Sequence, residues 1–113
     1  MCSTSQLNTI VTKIAQCAFT VFGNKLCSTV LYGSYARGDF DAESDIDIMI
    51  LVDIPREELF KYKPPFIELT SDLGLEYDIV ITVTLKDKYT FDKYLHAVPF
   101  YQNVAKEGIP IAV

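Results

Sequence analysis

The sequence predicts an α/β domain, with a small sheet of three to four strands and helices flanking it. Three observations predict it. Apolar residues at helical three- and four-residue steps near the start give way to two short apolar runs, and helical spacing then returns in the second half. Glycine, proline and asparagine punctuate these segments at their joints. With 113 residues, half of them hydrophobic, the chain suffices for one domain over residues 1–113 with a real core, and a second domain does not fit.

Taken in order, residues 5–22 carry Leu7, Ile10, Val11, Ile14, Ala15, Ala18, Val21 and Phe22 on one stripe of a helix, with Ser3 or Ser5 as its cap. Gly23 and Asn24 tolerate the left-handed backbone that commonly ends such a helix. Residues 26–32 form the first strand. Residues 46–52 form a second whose nearly continuous apolar character predicts burial on both faces. Pro55 suits the first turn of a helix running through Phe60, and Pro64-Pro65 are expected to stop or kink it. A further helical piece over residues 66–73 ends at Gly74. Residues 75–83 alternate as a third strand, with Asp78 the one carboxylate on its face. Helical signals return over residues 86–96 and 99–106, Gly108 ends the last helix, and residues 109–113 add a short strand or a docked tail.

Composition excludes several classes of function. The formal charge of -5, with ten basic residues scattered along the chain, argues against gripping nucleic acid through its backbone. A neutral or basic partner is expected instead. Cys2, Cys17 and Cys27 are odd in number and lack zinc-site spacing, so they read as reduced thiols. No leader pattern opens the chain and no run approaches the ~18 apolar residues of a membrane span, so a cytoplasmic protein without a membrane partner is expected.

Chemistry concentrates between the first two strands. An apolar run ends in Gly33-Ser34, residues 35–44 follow, and Asp45-Ile46-Asp47 opens the next run. Two aspartates two apart on a strand project from one face, so their oxygens can converge on one or two hard cations, magnesium being the natural candidate. Gly33 lets the backbone approach a phosphate without a clashing Cβ, and Ser34 offers a hydroxyl and an N–H. Arg37 either adds positive charge there or stands as a surface arginine, and Asp39, Asp41 and Glu43 read as loop charges. Asp78, from a neighbouring strand, would supply a third carboxylate. His96 reads as structural or exposed, and Tyr35, Tyr62, Tyr89, Tyr94 and Tyr101 as core and interface aromatics. Each of these residues has an ordinary structural role available, as a helix cap or a turn carboxylate. Jointly, a Gly-Ser, ten-residue gap, Asp-x-Asp pattern arises by chance on the order of once in a thousand chains of this length.

Gly33-Ser34, Ala36-Arg37-Gly38, Ser44-Asp45-Ile46-Asp47-Ile48, Asp78 and the closing Asn103-Val104-Ala105-Lys106-Glu107-Gly108 resemble the minimal nucleotidyltransferases of the polymerase-beta-like superfamily. The resemblance spans most of the chain and implies that superfamily's small mixed sheet. It also implies magnesium-dependent transfer of AMP from ATP, with Asp45, Asp47 and Asp78 as catalytic metal ligands of a two-metal site. Gly33, Ser34 and Arg37 would hold the triphosphate. Many short proteins of this kind are antitoxins that add AMP to a tyrosine of a small all-helical HEPN ribonuclease toxin, which implies a hetero-oligomer. An aminoglycoside-type small-molecule nucleotidyltransferase, or an antitoxin acting by binding alone, are the alternatives. Two features depart from the family pattern, the ending Ile109-Pro110-Ile111-Ala112-Val113 and the Pro64-Pro65 break.

Overall fold

The computed structural model describes residues 3–112. Cys2 and Val113, the last residue of the expected tail, lie outside them. The element order is α1 (Thr4–Phe22), a 3-10 turn (Gly23–Lys25), β1 (Leu26–Tyr32), α2 (Ser34–Arg37), β2 (Ile46–Val52), a 3-10 segment (Arg56–Tyr62), α3 (Lys63–Tyr77), β3 (Ile81–Asp87), α4 (Lys88–Lys93), α5 (Pro99–Glu107) and β4 (Ile109–Pro110). The strands form one mixed sheet in the order β3-β2-β1-β4. β1 runs antiparallel to both β2 and β4, and β3 runs parallel to β2. The α/β class and the small sheet are as the sequence leads one to expect.

Ser3 is the cap of α1: its hydroxyl accepts from the Gln6 N–H while the Gln6 side chain accepts from the Ser3 N–H. Ile10, Val11, Ile14, Ala15, Ala18 and Phe22 are the buried stripe of this helix. They meet Ile46, Ile48, Ile50 and Val52 of β2 and Phe66 and Leu73 of α3 in one apolar layer. Alternation sends Met49 and Leu51 to the other face, where they pack with Val30, Phe91 and Val104. The central strand is thus covered on both sides, which is why its sequence is almost wholly apolar.

Three expectations fail in the middle of the chain. Pro55 does not sit inside a helix; it is extended and precedes a 3-10 segment. Pro64 and Pro65 do not stop a helix but open α3, where the first N–H groups have no intrahelical acceptor to lose. The helix then runs through Gly74 to Tyr77, so the third strand starts at Ile81 and residues 75–77 are helical. Gly74 permits this close, because a Cβ there would stand 3.0 Å from the Ile79 carbonyl oxygen. Asp78 follows as the cap residue at φ 52, ψ 53, a left-handed conformation that aspartate tolerates better than most residues.

The fourth helical signal is also trimmed, since β3 continues to Asp87 and α4 is short. Asp87 caps α4, its carboxylate accepting from the Thr90 N–H at 2.8 Å. Burial alone would raise the Asp87 pKa, but hydrogen bonds from Thr90 and the nearby Lys86 charge outweigh it and hold the carboxyl below its usual value. Its stabilising contribution is therefore complete at neutral pH and is lost as pH falls through that depressed value. Asp87→Ala is expected to cost about 1 kcal/mol in urea unfolding at pH 7. The difference from wild type should shrink as the pH drops below about 4. Equal unfolding midpoints at pH 7 would rule this out.

Cys17 and Cys27 are free thiols, both pushed up in pKa by burial. Among the described residues no helix is long and apolar enough to cross a membrane.

Candidate active site

The site forms where β1 turns into α2 and the following loop enters β2. Gly33 makes the turn at φ 77, ψ -158, a conformation that disfavours any side chain. Its carbonyl accepts the Ala36 and Arg37 N–H groups at 3.1 Å each, and Gly38 ends the short helix in left-handed conformation. A Cβ on Gly33 would stand 2.5 Å from Asp47 Oδ2. The backbone that carries Ser34 therefore lies directly against a carboxylate, and only glycine leaves the space.

Asp47 is the second residue of β2. It pairs with Tyr32 of β1 and with Thr82 of β3, and directly paired residues share a face of the sheet. That face is the one on which Met49, Leu51 and Val104 pack, so Asp47 opens beside α5. Asp45 stands two residues earlier, exposed at the end of the loop. A small turn delivers it: Asp41 Oδ1 accepts the Glu43 N–H at 2.9 Å, and Ser44 Oγ accepts the Asp41 N–H at 2.9 Å. The role of Asp41 was not legible as more than a loop charge, although Asp and Ser three apart in a short polar loop are the ingredients of such a turn.

Burial raises the Asp47 pKa, the neighbouring Asp45 charge raises it further, and Arg37 offsets part of this. A half-buried carboxylate with a second one beside it is stabilised when a hard divalent cation lies between them. The donor set, with the glycine cradle against Asp47, fits such a cation.

Arg37 is not directed freely at the cradle. Its Nε donates to Asp39 Oδ2 at 3.1 Å and its Nη1 lies 3.5 Å from Glu107 Oε2 of α5. Its charge still reaches Asp47, but the guanidinium is shared with two carboxylates, and Glu107 is a partner that chain order did not suggest. Tyr35 is buried and stacks on Phe40, with ring centroids 4.4 Å apart, so it serves as the core aromatic expected of it.

Asp78 departs most from expectation. It is not on a strand but at the C-terminal cap of α3, on the wall of a cleft of about 290 Å3 whose other side is formed by Ala42 to Asp45. The structure brings Asp45 and Asp47 together and sets Asp78 across that cleft from Asp45. Among the described residues no group of three or more His, Cys, Asp or Glu side chains is arranged to hold a metal. The position beside Asp47 on β3 belongs to Thr82. A larger cleft, about 490 Å3, lies beyond Val52 and Asp87 at the other end of the sheet, away from the paired carboxylates.

Residues 24–110 match the family described as Nucleotidyltransferase domain. A Methanocaldococcus jannaschii protein named "Putative protein adenylyltransferase MJ0141" is 39% identical over 83 residues, covering 73% of this chain and 81% of the relative. A second from the same organism, of the same name but numbered MJ0604, is 37% identical over 87 residues, with 77% and 79% covered. Among solved structures, a Sulfolobus solfataricus protein described as "a putative nucleotidyltransferase" superposes with a TM-score of 0.55 at 22% identity, covering 94% of this chain and 81% of that one. A toxin-antitoxin crystal structure with AMP-PNP gives a TM-score of 0.53 at 22% identity, with 88% and 69% covered. These two likenesses bear on the fold, while the sequence matches bear on descent, and on that ground the chain belongs to the nucleotidyltransferase domain family.

Proposed function

We propose that this chain, as one nucleotidyltransferase domain over residues 1–113, is a magnesium-dependent protein adenylyltransferase acting as an antitoxin in the cytoplasm. It transfers AMP from ATP to a tyrosine hydroxyl of a small all-helical HEPN toxin, with which it forms a hetero-oligomer. The observation that supports the reading is the close approach of the Gly33 turn to the Asp47 carboxylate, the arrangement expected if the turn accepts a phosphate and the acid a cation. The name shared by the archaeal relatives supports protein as the acceptor, and the toxin-antitoxin complex of similar fold supports the partner class.

In this reading Asp45 and Asp47 hold magnesium, which neutralises charge on the phosphates when bound. Gly33 and Ser34 seat the triphosphate, Arg37 adds positive charge at its edge, and Asp78 contributes the third carboxylate from across the cleft it shares with Asp45. The acceptor oxygen bonds to the α-phosphorus, the bond to the β-phosphate breaks, pyrophosphate leaves and the hydroxyl proton passes to solvent or a site carboxylate. The pyrophosphate leaving group and the acceptor must lie in line, so positioning does most of the work.

The test is to incubate the purified chain with Mg-ATP and the helical protein encoded beside it. Intact-mass spectrometry should show that partner gaining one or more AMP units, mapped to tyrosine. A stable complex with no mass gain would remove the catalytic reading and leave an antitoxin that acts by binding.

A further inference from the structure

Phe100, Asn103, Val104 and Glu107 recur at three- and four-residue steps, so they share one face of α5. That face forms one wall of a cleft of about 180 Å3, and the opposite wall is Tyr32, Gly33 and Arg37. Gly33, which lines this cleft, is also the residue packed against Asp47, so the cleft borders the paired carboxylates. Its chemistry differs from theirs. Phe100 is 43% exposed and stands nearly perpendicular to Tyr32, with ring centroids 5.6 Å apart and 78° between the planes. Among the lining residues Val104 is buried and Asn103 is exposed.

We infer that this cleft is the nucleobase subsite, and that Asn103 selects adenine. The inference rests on the adenylyltransferase reading and adds to it the group that chooses the nucleotide. An aromatic ring with open surface gives a base a stacking partner that tolerates any base. A carboxamide supplies discrimination, because its oxygen accepts from the adenine exocyclic amine while its NH2 donates to the adjacent ring nitrogen. On the edge that carries N7, guanine presents two acceptors, O6 and N7, so the amide in either orientation can make only one of the two bonds. Glu107 is occupied by Arg37 at 3.5 Å, which fixes the far end of the cleft and leaves Asn103 as the polar reader.

Calorimetric titration of the full chain with Mg-ATP, Mg-GTP and magnesium tripolyphosphate tests this. Wild type should prefer Mg-ATP to Mg-GTP by about tenfold or more. Asn103→Ala should weaken Mg-ATP by about tenfold, erase the preference over Mg-GTP and leave tripolyphosphate binding unchanged. Equal losses for ATP and tripolyphosphate would overturn the inference, because Asn103 would then act on the phosphates or the fold. Unchanged ATP binding with slower modification of the partner would also overturn it, showing that the cleft receives the acceptor's side chain. In either case retained tripolyphosphate binding by wild type keeps the adenylyltransferase reading standing. Wild type that binds none of the three would defeat both.

Discussion

Gly33→Ala should abolish measurable nucleotidyl transfer while leaving the chain folded. The added methyl has two costs. At φ 77, ψ -158, a region essentially reserved for glycine, an alanine backbone is strained by roughly 1–3 kcal/mol. That is a minority of the 5–15 kcal/mol typical of a domain, so a shift in melting temperature and not unfolding is expected. The second cost falls on function, because the new Cβ would lie 2.5 Å from Asp47 Oδ2. The carboxylate is the end of a side chain and can rotate away, which relieves the collision by turning it from the position in which it would hold a cation. A loss of at least about a hundredfold in AMP transfer is expected, on the scale seen when one preorganised electrostatic group is removed from an active site. Circular dichroism checks the fold and intact-mass spectrometry the transfer. An alanine variant with wild-type turnover would show that the turn does not define the site.

Asp47→Asn is expected to separate activity from stability. Transfer should fall by about 10²- to 10³-fold, since an amide keeps the shape but not the charge that holds a cation. Stability should hold or rise slightly, because burial and the Asp45 charge both oppose ionisation of Asp47 in the folded chain. Adding magnesium should raise the melting temperature of wild type and leave that of the variant unchanged. A magnesium response that survives in Asp47→Asn would place the cation elsewhere.

Much of this geometry was legible in the chain. β1 and β2 carry the boundaries read for them, and in β2 an apolar run covered on both faces leaves its signature in nearly every residue. Gly33 and Asp47 were legible for a related reason: a glycine at a strand end and carboxylates at a strand entrance conflict with their apolar surroundings. The failures cluster around Asp78. Tyr77, Ile79 and Ile81 alternate as a strand would, yet Tyr77 still belongs to α3, and Leu75, the first residue of the expected strand, is helical and 85% exposed. Period alone could not separate the end of a weakly amphipathic helix from the start of a strand, and Gly74 read as a terminator when its role is to admit the Ile79 carbonyl. The pairing of Glu107 with Arg37, and the closure of the site by α5, depend on a docking between distant parts of the chain that no local pattern encodes.

The burial of β2 on both faces has a consequence for how sharply the site is located. Side chains along a strand alternate with a period of two, so a slip of one residue against β1 and β3 would exchange every face at once. Asp47 would enter the layer holding Ile10, Ile14 and Phe66, and Ile46 and Ile48 would leave it. An unpaired carboxylate in that layer costs several kcal/mol, in addition to the apolar area lost. The registry of the acid is therefore enforced by the hydrophobic interior and not by polar bonds within the site. The interior can therefore be repacked by volume-conserving changes without moving the acid.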